Sequence, residues 1–231
     1  MTILLGLARI ERETVQERVY AALRDKLMRG GFEPGQKLKI ADLAGALGTS
    51  AMPVRDALNR LAAERAVESL PNRGVRVPAL SKASLQDLME ARFAVEGLAA
   101  ERASIKISPA AISTLRGFVD TQSKTDDAHI SEQSAEQNRE FHFTIYRAAE
   151  SSVLLPMIES LWLQCGPYLR IASERFDGRH GRGIDFHVEI VAALERGDGA
   201  AARRALQSDI GRAFELVMHD HRLRPRLGVT P

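Results

Sequence analysis

Along the first 78 residues the apolar positions change rhythm several times, and each rhythm predicts an element. Over residues 13–28, Val15, Val19, Ala22, Leu23 and Leu27 recur at the spacing of an amphipathic helix, which RGGFEPGQ then stops with paired glycines and a turn. Ile40, Leu43, Ala44 and Leu47 predict a second, short helix ended by Gly48. LGTSAMPVRDALNRL follows at 47–61, where Ser50 can cap a helix because Pro53 lacks only an N–H that the first turn leaves unpaired. Val54, Ala57, Leu58, Leu61 and Ala62 line one side of that helix, while Met52, Arg55 and Asn59 fall on the other. AVESLPNRGVRVPAL then turns to short β-branched runs at 67–70 and 75–77 around Pro-Asn-Arg-Gly, which predicts a hairpin.

After Pro78 the strand signals cease. Helical stretches follow at 81–104, 108–126, 129–149, 153–175, 182–196 and 199–220, separated by Ser-Pro at 108, Ser-Ser at 151, the glycine cluster GRHGRG and Gly-Asp-Gly at 197. The expected architecture is mainly α: a winged helix-turn-helix over 1–78, an all-α six-helix bundle over 79–222 and a frayed tail over 223–231.

Composition fits a folded, helix-rich chain, with 45% hydrophobic, 27% charged and only 5% aromatic residues. Cys165 is the single cysteine, so an internal disulfide and a thiolate cluster are both excluded; a reducing cytoplasm and a buried apolar role suit it. The apolar opening MTILLGLA falls short of the roughly 18 residues of a membrane helix and lacks a charged leader, which predicts an arm rather than a membrane or secretory segment. The net charge of +2 hides an asymmetry: residues 1–78 carry 13 Lys/Arg against 9 Asp/Glu, and residues 79–231 carry 19 against 21. A basic module joined to a mildly acidic one points the first at a polyanion.

Two short helices joined by a tight glycine turn and followed by a hairpin bearing Arg73 and Arg76 suit duplex DNA. The B-form major groove admits one α-helix, and outward side chains near its N-terminus reach base edges. Arg55 is the best placed to read bases or phosphate, the helix N-terminus can hold a phosphate, and the wing can lay Arg73 along the backbone or in the minor groove. The segment VYAALRDKLMRGGFEPGQKLKIADLAGALGTSAMPVRDALNRLAAERAVESLPNRGVRV resembles the DNA-binding domain of GntR-family bacterial transcription regulators in its length, its turns, its P-V-R-D-A-L core and its R-G-V-R-V wing. That resemblance implies a DNA-reading surface of Lys39, Thr49, Ser50, Met52, Arg55, Asn59 and Arg73. Ala51 stands where similar proteins usually have arginine, which shifts readout toward Arg55, Ser50, Met52 and Asn59.

In the second part, NREFHFTIYRAAES places Asn138 and His142 on one helix face, His187 lies in DFHVEIVAALERGD, and Asp209 falls on the last helix. The pattern N-x-x-x-H, H-x-E-I-x-x-A-L-x-x-G-D and A-A-R-R-A-L is similar to the FadR C-terminal (FCD) domain, and six helices make it most similar to the VanR-type subgroup. The resemblance implies a divalent metal on Asn138, His142, His187 and Asp209, with Asn138 where the family most often has aspartate and Asp209 where it has its last histidine. This oxygen-rich set tilts toward Mn²⁺ or Mg²⁺, with Zn²⁺ and Ni²⁺ also compatible. Arg92 falls where similar proteins often have an arginine near the ligand cavity, and its planar fork suits a carboxylate effector; the alternative is an exposed Arg92–Glu96 pair on one helix.

GRHGRG has no preceding strand and no Gly-Lys-Ser/Thr, so it reads as a connection rather than a phosphate loop. His129, His180, His219 and His221 fall at helix ends or in loops, and no nucleophilic triad has local context. The expectation is a cytoplasmic bacterial regulator, a repressor in the commoner arrangement, that binds a pseudo-palindromic operator as a homodimer under control of a small organic acid. A metal-free regulator with a nonacidic effector and a helical metalloenzyme are the alternatives.

Overall fold

The computed structural model describes residues 14–70, 74–124, 132–174 and 182–219. Arg73, the opening MTILLGLA, residues 178–181 of GRHGRG, His129, His180, His221 and the 223–231 tail lie outside these.

The head begins with α1, Val15–Met28, one residue inside a capping box: Glu17 N donates to the Thr14 hydroxyl, and Thr14 N donates to the Glu17 carboxylate. The helix was expected over 13–28, and the Thr14-x-x-Glu17 signature marks its true start. A two-residue strand β1, Lys37–Leu38, precedes α2, Ile40–Leu47. Gly48 ends α2 at φ 62°, a left-handed conformation in which a side chain is disfavoured. Ser50 then stands at the N-cap of α3, Ala51–Ala63, in extended backbone, but contrary to expectation its hydroxyl makes no capping hydrogen bond.

Strands β2, Glu68–Leu70, and β3, Gly74–Arg76, form the expected antiparallel hairpin, with Ser69 opposite Val75. β1 adds to the free edge of β3, pairing Lys37 with Arg76 and Leu38 with Val75. No periodicity announces a two-residue strand, which exists only because β3 offers it an edge. Val19, Leu23 and Leu27 of α1 close on Val54, Ala57, Leu58 and Leu61 of α3, all buried, with Phe32, Leu38 and Val77 sealing the sheet side.

Among the described residues six helices follow, as expected: α4 Lys82–Lys106, α5 Pro109–Lys124, α6 Glu132–Ala148, α7 Leu154–Glu174, α8 Arg182–Glu195 and α9 Gly199–Met218. α9 packs along α4 and α8, and α7 lies against α4, α6 and α9. Ala99, Ala100 and Ala103 of α4 and Ala202 of α9 are fully buried, small enough for close approach; Gly97 fits beneath Arg203, where a Cβ would stand 3.0 Å from its Cγ.

Leu58, 1% exposed, and Met52, 64% exposed, sit on opposite sides of α3. In urea unfolding followed by circular dichroism, Leu58→Ala is expected to lose about 2–5 kcal/mol through lost burial and a residual cavity. Met52→Ala is expected to stay within about 0.5 kcal/mol of the parent.

Candidate DNA-reading face and buried ligand site

The reading face is set by which side of α3 the head core consumes. Met52, Arg55 and Asn59 are exposed opposite that core, with Ser50 and Lys39 also exposed and Thr49 half-buried at the turn. Among the described residues, neither Arg55 nor Asn59 is held by a hydrogen bond or ion pair. Because Ser50 spends no oxygen on capping, its hydroxyl and the first-turn N–H groups keep their bonding capacity for a phosphate. Arg76 on the wing differs: its Nε is bonded to Glu68 across the hairpin, so a second basic contact there is already neutralised.

In the bundle, α6, α8 and α9 bring together His142, His187 and Asp209. His142 Nε2 lies 3.2 Å from Asp209 Oδ2, and His187 Nε2 lies 3.8 Å from Asp209 Oδ1. Both imidazoles are only 2% exposed. Asn138, half-buried, stands one helical turn before His142 on α6.

The outer hydrogen bonds decide what these atoms can do. His187 Nδ1 is 2.9 Å from Gln122 Oε1, an acceptor, so it carries the proton and leaves Nε2 bare. The Tyr146 hydroxyl donates to Glu96 Oε2, and His142 Nδ1 lies 3.3 Å from the same hydroxyl, with its Nε2 turned to Asp209. Burial holds the His187 imidazole neutral, its pKa depressed to about 4 against the opposing pull of Asp209. Burial works to raise the Asp209 pKa, but the hydrogen bond to His142 and the nearby histidines outweigh it and hold the carboxyl below its ordinary value. His142 Nε2, His187 Nε2 and the Asp209 carboxylate therefore converge on one point, where a cation would take the place of the proton shared between His142 and Asp209.

Next to this triad, Arg92 is not the exposed partner of Glu96 that one helix alone suggested. The pair forms, but at 2% and 0% exposure: Nε is 2.5 Å from Oε1, and Nη2 is 3.1 Å from Oε2. Glu96 also accepts from Tyr146 and, at 3.2 Å, from Trp162 Nε1. Burial opposes the Arg92 charge, and the Glu96 carboxylate overcomes it and raises the pKa. Nη1 of Arg92, also buried, has no hydrogen-bond partner among the described residues. Tyr146 and Trp162 were not singled out by sequence reasoning, which named Glu96 only as an exposed partner of Arg92; Tyr146 at one turn past His142 was the available signal. Cys165 is fully buried as expected, and burial pushes its thiol up to about 11. His219 caps the end of α9, its Nδ1 donating to Glu215 O.

A winged head with an outward recognition helix, carried on a helical bundle with a buried polar site, defines a DNA-binding regulator with a second domain. The chain belongs to the bacterial regulatory proteins of the gntR family, matched over residues 15–77, with an FCD domain matched over 87–212. It is 28% identical over 202 residues to the HTH-type transcriptional regulator McbR of Escherichia coli (strain K12), covering 87% of this chain and 91% of that protein. It is likewise 28% identical over 217 residues to the HTH-type transcriptional repressor GlaR of the same organism, covering 89% and 91%. The solved structure of E. coli McbR/YncC superposes with a TM-score of 0.82 at 26% identity, over 90% of this chain and 98% of that one. The chain is thus a DNA-binding transcription regulator, not an enzyme. No helix among the described residues is long and apolar enough to cross a membrane.

Removing one member of a buried pair strands the other charge. Glu96→Leu alone is expected to lose about 3–5 kcal/mol in urea unfolding followed by Trp162 fluorescence. Arg92→Met with Glu96→Leu, which removes both charges, is expected to lose less than the single substitution.

Proposed function

We propose that this protein is a cytoplasmic repressor whose operator affinity is set by a small organic acid bound in the bundle at a divalent metal. Residues 1–78 serve as the reading head, and residues 79–222 sense the effector and pair two copies. Each head lays α3 in a major groove of a pseudo-palindromic operator, with Arg55, Asn59, Met52, Ser50, Thr49 and Lys39 at the duplex and Arg73 on the wing. Phosphate contacts supply much of the affinity, which falls steeply with salt. The six-helix count favours the VanR-type subgroup.

The observation that carries the sensing half is the convergence of the Nε2 atoms of His142 and His187 on Asp209, beside Arg92 Nη1, which has no hydrogen-bond partner among the described residues. The triad suits a divalent cation, with Asn138 as a further oxygen ligand; two neutral nitrogens with oxygens are compatible with Zn²⁺, Mn²⁺ or Ni²⁺. Such an ion supplies a positive charge for a carboxylate to bind. Arg92 supplies a directed donor to the same group, and Gln122 and Tyr146 orient the two imidazoles. A ligand that prefers one placement of the heads over another then changes DNA affinity by its differential binding.

Elemental analysis of the purified protein is expected to find a divalent metal at about one ion per chain, lost in the double substitution His142→Ala, His187→Ala. A metal-free parent protein would overturn the metal reading in favour of a regulator with a nonacidic ligand. For the head, Arg55→Ala is expected to weaken binding to a selected operator by about 1–3 kcal/mol while leaving random-duplex affinity within twofold or so. Equal losses on both duplexes would assign Arg55 to phosphate alone.

A further inference from the structure

Two consecutive turns of α7 face two different parts of the protein. On the bundle side, Trp162 Nε1 bonds Glu96 at 3.2 Å, its ring lies 4.8 Å from the Arg92 guanidinium, and Cys165 is buried within reach of the same two charges. On the head side, Gly166 abuts the end of α1. A Cβ at that position would overlap the Leu27 carbonyl oxygen and stand 2.9 Å from Leu27 C and 3.0 Å from Met28 Cα. Gly30 answers it at φ +67°, where a Cβ would stand 2.6 Å from Arg170 Cβ and 2.7 Å from Gly166 O. Tyr168 grips the linker: Leu80 N donates to its hydroxyl at 2.6 Å, and the hydroxyl donates to Pro78 O at 3.0 Å. Between these, Pro167 inside the helix has no N–H, so the ladder lacks its bond to the Leu163 carbonyl at this point.

We propose that residues 162–168 of α7 are a positioning element that carries the state of the buried Arg92–Glu96 network to the seat of the DNA-reading head. At Gly166 the two helices meet backbone to backbone, with no side chain between them to absorb a shift by changing rotamer. A displacement of Trp162 and Cys165 therefore either moves α1 or breaks the contact. Pro167 marks the place where the helix gives most easily, and Tyr168 transmits the same shift to the stretch at 78–80 that joins head to bundle. Arg24 to Glu159 at 2.9 Å and Arg29 to Glu136 at 3.1 Å tie the head to α7 and α6 around this bearing. The inference rests on the bundle being the sensing site, but its test does not need a ligand.

Trp162→Phe removes the indole N–H from Glu96, keeps an aromatic ring and leaves Gly166 and Tyr168, which make the contacts with Leu27 and Pro78, unaltered. Hydrogen exchange in the full chain is expected to change by at least about fivefold in segments 24–32 and 78–82, while segment 54–61 inside the head keeps the parent rate. Unchanged exchange in 24–32 and 78–82, or a change that merely tracks 54–61, would overturn the proposal. Gly166→Ala is expected to raise exchange in 24–32 by itself and to abolish the response to Trp162→Phe; an intact response in that background would also overturn it. Tyr168→Phe, which keeps the ring and drops both linker bonds, replaces Gly166→Ala if the latter does not fold, and is expected to abolish the response at 78–82. Adding Zn²⁺ to the parent separates the two readings. A saturable change in Trp162 fluorescence with altered exchange at 24–32 supports the relay, and the same fluorescence change without altered exchange contradicts it. No fluorescence change counts against the metal reading alone, since the Trp162→Phe result decides the relay.

Discussion

The bundle is organised around a charge that it cannot afford to leave alone. Glu96 is fully buried, and a carboxylate in an apolar interior is tolerated only when its oxygens are satisfied. Here Arg92 comes from the same helix one turn earlier, Tyr146 from α6 and Trp162 from α7. Three helices must therefore stand in one relative placement before the pair is stable. Tyr146 then reaches His142, and His142 reaches Asp209, so the ion pair fixes the neighbouring site as well. The scaffold thus orients His142 through Tyr146, while Gln122 of α5 orients His187 separately.

The head depends on the bundle at a different kind of contact. Its own core is ordinary packing of α1 on α3, but its placement uses glycine where a side chain would collide. The contrast matters functionally. A core of Leu, Val and Ala tolerates small adjustments, whereas a backbone contact at Gly166 and a two-way hydrogen bond at Tyr168 admit few. The reading face is left free of such commitments: Arg55 and Asn59 have no partner among the described residues, while Arg76 is tied to Glu68. The face proposed for DNA and the seat of the head thus fall on different sides of the same small domain.

Much of this was legible in the sequence, for reasons that can be named. Val54, Ala57, Leu58 and Leu61 repeat at helical spacing and are buried, so periodicity alone separated the core side of α3 from Met52, Arg55 and Asn59. The six bundle helices were legible because Ser, Gly and Pro punctuate them. Strand β1 was not, because two residues carry no period and owe their conformation to β3. Nor was the burial of Arg92: one helix shows only that Glu96 is within reach, and the partners that desolvate the pair lie 50 and 66 residues away at Tyr146 and Trp162. The Ser50 cap failed for a local reason of another sort, since the right residue at the right position made no bond. His142, His187 and Asp209 were grouped by resemblance, and their convergence is a fact of three dimensions that spacing could not supply.

Whether His142, His187 and Asp209 hold a cation decides the sensing role proposed for the bundle. X-ray absorption at the metal edge of the Zn²⁺-loaded protein measures this directly. A metal held as proposed gives a first shell of oxygen and nitrogen with the multiple-scattering signature of two imidazoles, from His142 and His187, and no sulfur, because Cys165 lies on the Arg92 side of the network. A sulfur ligand, or a shell without imidazole, would contradict it.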